Sequence, residues 1–332
     1  MDTGFDIPPP PDDAIRPFQV DALDIRGRTV RLGPTLDSIL TRHAYPTAVS
    51  RLLGEAIVLA ALLGSSLKID GKFILQTKTD GAVSMLVVDY RTSGAIRAHA
   101  TFDAERVASL TGASAPSPAA LLGRGILAMT VDQGPATSRY QGVVQLDGAN
   151  LEDVAHAYFR QSEQIPTRVR LAVAESVSRV GNELQRGWRA GGLIAQFLPT
   201  AVDRVRLRDL PGGDAPPGLA PPPEIADDNA WTEARSLVST IEDHELIDPA
   251  LSSDRLLYRL FHAHGVRVFD AGPVRDECSC TRERIDGILR SFTAEEIEES
   301  VEDAQIKVTC EFCGSRYTFD PENYRPGQRA AG

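Results

Sequence analysis

The sequence predicts an α+β fold: an N-terminal α+β core domain, a helical linker and a small C-terminal zinc-binding domain. Three observations carry that prediction. Strand-patterned segments come in runs joined by short turns, with a few helices between them, rather than in strict strand–helix alternation. The stretch Pro211 to Pro223 holds six prolines and three glycines in thirteen residues, which no regular element accommodates. The four cysteines of the 332-residue chain all fall in one late window, as Cys278-Ser279-Cys280 and Cys310-Glu311-Phe312-Cys313. The expected divisions are a disordered tail over 1–13, the core over 14–200, the proline-rich stretch and helical linker over 201–265, the zinc-binding switch domain over 266–320 and a frayed tail over 321–332.

The N-terminal tail carries four consecutive prolines, Pro8 to Pro11. From Ile15 to Leu32 apolar residues partly alternate, which predicts strands, and Pro34 to Leu40 fits a short helix. Pro46 opens a strong helix: Val49, Leu52, Leu53, Ala56, Ile57, Ala60, Leu63 and Leu67 recur at three- and four-residue steps. Leu59 and Leu62 widen its apolar face, so the helix is expected between other elements. Phe73 to Lys78 and Val83 to Tyr90 flank Thr79-Asp80-Gly81-Ala82, whose Asp-Gly centre predicts a type I′ hairpin turn. Ile96 to Phe102, Gly125 to Thr130, Tyr140 to Leu146 and Thr167 to Ala174 read as further strands, with a loop or helix lead-in from Thr111 to Pro118. Ala149 and Asn150 lead into a helix through Tyr158 to Gln164.

Beyond the prolines, Asp227 to Ile241 and Ser253 to His262 are expected helices. Trp231, Ala234, Leu237, Val238 and Ile241 form one apolar stripe, and Leu256, Leu257, Leu260 and Phe261 another. Residues 201–260 hold twelve Asp/Glu against six Lys/Arg. Such helices form either a docked helical subdomain or a metastable segment whose apolar faces can be released. Val266 to Phe269 is a short strand, followed by helices over Thr281 to Arg290 and Thr293 to Glu302. Thr293 with Glu296 makes a capping box.

A formal net charge of −11 weighs against nucleic acid, which needs a basic face to displace counterions. Met1 to Asp13 has neither the basic nor the apolar region of a signal peptide, and no uninterrupted apolar run reaches transmembrane length. The expectation is a cytoplasmic protein without a membrane partner, in a compartment that keeps thiols reduced. Clustered cysteines there point to metal or redox chemistry.

Four thiols in two close pairs suit a tetrahedral zinc site with Cys278, Cys280, Cys310 and Cys313 as ligands. The C-x-C pair is tighter than the usual C-x₂₋₄-C. A module of about 50 residues buries little core and needs a staple. Arg275, Arg282, Arg284, Lys307 and Arg316 lie near the cysteines in sequence and are candidates to offset thiolate charge. Cys313-Gly314 fits a knuckle whose Gly amide faces sulfur. Two roles stay open at this point: a permanent zinc staple, or a redox switch in which oxidation of the thiolates removes every ligand. His262 and His264 are read as non-ligands, since four thiols complete a tetrahedron. Gly123-Arg124-Gly125-Ile126-Leu127-Ala128 is a strand entry rather than a phosphate loop, and Asp132 has no identifiable catalytic partner. No enzyme constellation stands out.

Cys278-Ser279-Cys280-Thr281-Arg282-Glu283-Arg284, with Cys310-Glu311-Phe312-Cys313-Gly314 and Tyr317, resembles the 33 kDa chaperonin family of redox-regulated heat-shock holdases. Arg42-His43-Ala44-Tyr45-Pro46, Gln76-Thr77-Lys78-Thr79-Asp80-Gly81, Tyr158 to Thr167 and Gly191 to Pro199 are similar to that family's core. The resemblance spans roughly residues 18–320. It implies an ATP-independent holdase with one zinc on the four cysteines in the reduced form. It implies that oxidative stress forms disulfides Cys278–Cys280 and Cys310–Cys313, that zinc leaves, and that the C-terminal module and linker unfold. The protein then dimerises and captures unfolding client proteins. The alternative is a zinc-ribbon protein-interaction module without redox switching.

Overall fold

The computed structural model describes residues 12–68, 70–112, 115–134, 139–180, 183–199 and 228–324. The proline runs 8–11 and 211–223 lie outside these residues. The elements are β1 (Ala14–Val20), β2 (Ile25–Leu32), α1 (Pro34–Thr41), α2 (Thr47–Gly64), β3 (Lys72–Thr79), β4 (Val83–Arg91), β5 (Ala95–Phe102), α3 (Ala104–Leu110), α4 (Pro118–Leu122), β6 (Arg124–Asp132), β7 (Tyr140–Asp147), α5 (Leu151–Tyr158), β8 (Thr167–Val180) and β9 (Glu183–Phe197). They continue as α6 (Asn229–Ser239), α7 (Asp243–Ile247), α8 (Ser253–Phe261), β10 (Arg267–Val268), β11 (Gly272–Pro273), β12 (Arg275–Asp276), α9 (Arg282–Leu289), α10 (Ala294–Glu299), β13 (Val301–Glu302), β14 (Gln305–Thr309) and β15 (Arg316–Phe319). The fold is mixed α+β, as the sequence pattern requires.

One sheet runs β10-β1-β2-β9-β8, with β11 also on β1; a second runs β12-β5-β4-β3-β6-β7. Helix α2 lies between them and packs on β2, β8 and β9 on one side and β3, β4 and β5 on the other. Its apolar residues therefore have a partner all round, and every residue from Ala56 to Gly64 is buried. The helix is long and apolar enough to cross a membrane by length and composition, but its apolarity is used inside the core. Glycines permit the close approach. A Cβ on Gly54 would sit 2.8 Å from Val173 Cγ1, and one on Gly192 of β9 would sit 2.5 Å from Val58 Cγ1.

The outer face of the first sheet carries a second core. Phe18, Val20, Ile25, Leu193, Ala195 and Phe197 bury against Trp231, Ala234, Val238, Leu246, Leu257 and Phe261 from α6 to α8. The Phe18 and Phe261 rings stack with centroids 5.7 Å apart. Two core arginines hold the connection between α7 and α8 by its carbonyls. Arg31 donates to Leu251 and Asp248, and Arg189 Nε donates to Ile247 (3.0 Å).

Several expectations need correction. The Thr79–Ala82 connection is not a type I′ turn, because neither Asp80 nor Gly81 has positive φ. It docks instead on the chain entering β6: Gly81 N donates to Leu122 O (3.0 Å) and Arg124 N donates to Asp80 Oδ1 (2.7 Å). Gly81 is there for space, since a Cβ would meet Leu121 O at 2.3 Å. Helix α5 stops at Tyr158 and passes into one π turn, Phe159–Glu163, closed by Gln164 at φ 55°. The helix expected over Thr293–Glu302 ends at Glu299, and Val301–Glu302 turns into strand β13. Asp12 and Asp13 are pinned rather than frayed: Asp12 takes a two-pronged contact from Arg189 (2.5 and 2.8 Å), and Asp13 accepts from Gly33 N and Thr35 N. Tyr324 is also buried, with its hydroxyl donating to Asp286 Oδ1 (2.7 Å).

Strand β8 is an edge of its sheet, and α5 covers part of its open row of amides. Val169 N donates to His156 Nε2 (2.8 Å) and Leu171 N donates to Glu152 Oε1 (2.6 Å). An acceptor imidazole must be neutral. Burial, assisted by Arg168, lowers the His156 pKa to about 4. A histidine depressed in the fold contributes stability above its unfolded pKa, and that contribution is lost as pH falls from about 6.5 towards 4. We predict that His156→Asn flattens the pH dependence of Tm between pH 7 and 4.5. Allowing for partial solvent screening, the expected acid-side loss in the parent is about 1–3 kcal/mol.

Candidate metal centre

After α8 the chain runs along one side of both sheets. Phe18 pairs with Val268 and Ile15 with Gly272; then β12 joins β5 in parallel, Arg275 opposite Ala95 and Asp276 opposite Ile96. Glu277 N donates to Ile96 O (3.1 Å), and Cys278 follows. The first cysteine pair is thus fixed to the core by strand pairing. The second lies in the β14–β15 connection, on a three-stranded sheet with α9 and α10 beside it. The module's own core is small: Ile285, Leu289, Ile297, Ile306, Phe319 and Tyr324. Thr281 caps α9, and Thr293 with Glu296 forms the expected capping box at α10.

The four sulfurs lie within 4.8 Å of one another, and all four cysteines are half-buried. Cys278 Sγ is 3.7 Å from Cys310 Sγ, and Cys280 Sγ is 3.2 Å from Cys313 Sγ. Four-coordinate bonds of about 2.3 Å to sulfur require sulfur–sulfur edges of about 3.8 Å. The cluster has that size and is positioned to bind a metal ion. Cys310 N donates to Ser315 O (2.9 Å) and Gly314 N to Cys310 O (2.8 Å), closing the knuckle, with Gly314 at φ 69°. The glycine therefore supplies the turn, while the amides facing the Cys310 sulfur are those of Phe312 and Cys313.

Electrostatics favour a cation here. Burial pushes the Cys280 thiol up to about 12 and raises Cys310 as well. Cys313 is also desolvated, but hydrogen bonds from the Ser315 hydroxyl and amide bring it down to about 6. Tyr317 OH lies 3.3 Å from Cys280 Sγ, and that contact raises the phenol to about 12. Four thiolates this close ionise together only with a positive charge among them. The soft donor set suits zinc among divalent ions.

The neighbouring cations differ from those expected. Arg275 is near Glu277, Arg282 lies over the Phe319 ring, Arg284 reaches Ser279, Lys307 pairs with Asp303, and Arg316 is exposed. Among the described residues, the guanidinium that reaches a sulfur is Arg97 of β5, whose Nη1 is 3.6 Å from Cys278 Sγ. His264 pairs with Glu233 (2.8 Å) and His262 donates to Tyr258 O (3.1 Å), away from the sulfurs. Asp132 caps a turn through Gly134 N and faces Arg139 and Lys72.

Comparison with known proteins agrees with this arrangement. The model of the Hsp33 protein family matches residues 13–320. The chain is 45% identical over 312 residues to a 33 kDa chaperonin of Caulobacter vibrioides, covering 93% of this chain and 95% of the relative. It is 36% identical to the 33 kDa chaperonin of Pseudomonas fluorescens, covering 94% and 92%. Its fold is similar to the crystal structure of the 33 kDa chaperonin from Thermotoga maritima, with a TM-score of 0.69, 18% identity, and coverage of 94% of this chain and 96% of that one. A family match across nearly the whole chain, relatives of matching length and a four-cysteine cluster in its C-terminal module lead to one conclusion: this chain belongs to the Hsp33 family of chaperones.

Proposed function

We propose that the protein is a redox-switched, ATP-independent holdase of the cytoplasm, with Cys278, Cys280, Cys310 and Cys313 as the ligands of one zinc ion in the reduced form. The observation that carries the reading is the coincidence of three features. All four thiols share one site, the module around them has only six buried apolar side chains, and the preceding helices cover an apolar sheet face. Bound zinc supplies the cross-link that keeps the module folded.

In the oxidised form Cys278 would pair with Cys280, and Cys310 with Cys313. Each pair of thiolates gives two electrons to one peroxide, which takes up two protons and leaves as two waters. The four donors are then gone, and the module loses its staple. The chain from Val266 to Glu277 is continuous with both the linker and the cysteines, so an unfolding module pulls on α8 and its neighbours. Release of α6 to α8 uncovers Phe18, Val20, Ile25, Leu193, Ala195 and Phe197, an apolar face suited to unfolding client proteins and to a second copy of this chain. Nothing in this scheme requires catalysis, nucleic acid or a membrane.

The test is suppression of thermal aggregation of a model client. Reduced, zinc-loaded protein should suppress weakly, and protein treated with peroxide and mild heat should suppress strongly at near-equimolar ratio. Full suppression by the reduced form, unchanged by peroxide, would overturn the proposal. Zinc that stays bound under peroxide would instead favour a plain interaction module.

A further inference from the structure

Phe312 stands between Cys310 and Cys313, yet its side chain leaves the module and enters a socket on the core. The Arg97 guanidinium lies over its ring, 4.0 Å from the centroid. The His99 ring meets it at 6.4 Å, edge to face. Its carbonyl accepts from Arg42 Nη1 (3.1 Å) and from His43 Nε2 (3.2 Å). The socket is itself braced. Asp89, buried on β4, accepts from Arg97 Nε (2.9 Å) and Nη2 (2.6 Å). Tyr45 OH accepts from Ala100 N (3.2 Å) and lies 3.1 Å from His99 Nδ1. With two of its nitrogens held by Asp89, Arg97 has Nη1 left for the Cys278 sulfur. Arg42 also pairs with Asp276, which accepts from Ser38 Oγ (2.7 Å) as well. Arg97 on β5 and Arg42 at α1's exit therefore each touch both cysteine segments.

We infer that Arg97 and the Phe312 socket form a latch through which the core domain holds the cysteine module in its reduced form, with Arg97 as a positioning residue for Cys278. The inference rests on the redox-switch reading above and adds no chemical step to it. Sulfurs spaced for a metal stand about 3.8 Å apart, whereas a disulfide brings them to about 2.05 Å. Closing Cys310 onto Cys313 must rearrange the residues between them, and Phe312 is one of those. A ring fixed on Arg97 and a carbonyl fixed on Arg42 and His43 do not both follow that movement. At the same time Cys278 changes from a thiolate, which attracts Arg97, to a neutral sulfur, which does not. Oxidation thus withdraws the plug and the charge that the core grips. Coupling of this kind is reciprocal, so releasing the latch also makes zinc easier to lose.

The experiment uses the full-length, zinc-loaded protein with Arg97→Met, Arg97→Lys and Phe312→Ala. Phe312 is outside the module's own core, so one zinc per chain should remain in each variant and serves as the folding control. Docking is read from amide hydrogen exchange at Arg275 and Glu277, which donate to Gly94 O and Ile96 O of the core. Arg97→Met and Phe312→Ala should speed exchange at these amides at least tenfold, with β2 and β9 unchanged. Zinc release under limiting peroxide, followed with a chromogenic chelator, should be at least threefold faster. Arg97→Lys should fall between, because lysine keeps the charge but has no planar fork to span ring, carboxylate and sulfur. Exchange and release at parental rates in both Arg97→Met and Phe312→Ala would overturn the latch, as would slower release in either. If the parent itself kept its zinc under peroxide, the switch reading would fail, and the exchange data would still decide the docking role on their own.

Discussion

Replacing Cys280 by serine is expected to abolish stoichiometric zinc binding and to unfold residues 278–324 without oxidant. Cys280 faces Cys313 at 3.2 Å and the Tyr317 hydroxyl at 3.3 Å. Losing it leaves three donors and an open edge. Metal binding to a four-thiolate module is worth on the order of 10 kcal/mol of folding free energy. Ile285, Leu289, Ile297, Ile306, Phe319 and Tyr324 are too few to replace that contribution in a module of this size. Elemental analysis together with hydrogen exchange checks the point. The zinc content should fall from about one per chain to background, and the amides of α9, α10 and β14 should exchange freely. Protection in β3, β4 and β6 should persist, since their core does not include the module. A Cys280→Ser protein with a full zinc complement and a protected module would show that the cysteines are not its staple.

Replacing Phe261 by alanine is expected to free the linker while the zinc stays bound. Phe261 is fully buried at the centre of the second core, stacked on Phe18 and flanked by Leu257 and Leu260. Such a truncation costs roughly 3–5 kcal/mol. What remains to hold α6 to α8 is the rest of that core, chiefly Trp231, Ala234, Val238, Leu246 and Leu257, and the Arg31 and Arg189 contacts to the α7–α8 carbonyls. The reduced variant should bind a hydrophobic dye and suppress client aggregation as the oxidised parent does, with its zinc content unchanged. If linker amides lose protection but the reduced variant remains inactive, the face under α6 to α8 is not the client face. The comparison separates the two halves of the proposal, because the mutation lies well away from the sulfurs.

The features legible in the sequence were those with short-range signals. The α2 periodicity marked the central helix because its partners surround it. The two linker stripes marked the helices that cover the first sheet, and the cysteine spacing marked the cluster. The Thr293 to Glu296 box fixed a helix start. What escaped was decided by distant partners. Strand β9 carries Gly187, Gly191 and Gly192, which weaken any strand pattern; Gly192 is required by contact with Val58 on α2. Asp80-Gly81 has the composition of a tight turn but docks on Leu122 and Arg124 instead. Strand β12 is two residues long and exists because β5 offers it a free edge. The cations near the cysteines in sequence turned to other partners, while Arg97, 181 positions before Cys278, reaches the sulfur. No local pattern encodes that contact.

We propose that oxidation converts the metal centre into two disulfides and opens the protein. Zinc release with thiol counting and disulfide mapping, before and after peroxide, tests it most directly, with hydrogen exchange of α6 to α8 on the same samples. Four free thiols and one zinc per chain are expected before treatment. Afterwards no free thiols, one released zinc, bridges Cys278–Cys280 and Cys310–Cys313, and loss of protection in the linker are expected. The reduced arrangement places Cys278 beside Cys310 and Cys280 beside Cys313, so mapping must distinguish these crossed pairs from the neighbouring ones. Crossed bridges that leave the linker protected, or thiols and zinc that survive peroxide unchanged, would rule out the switch.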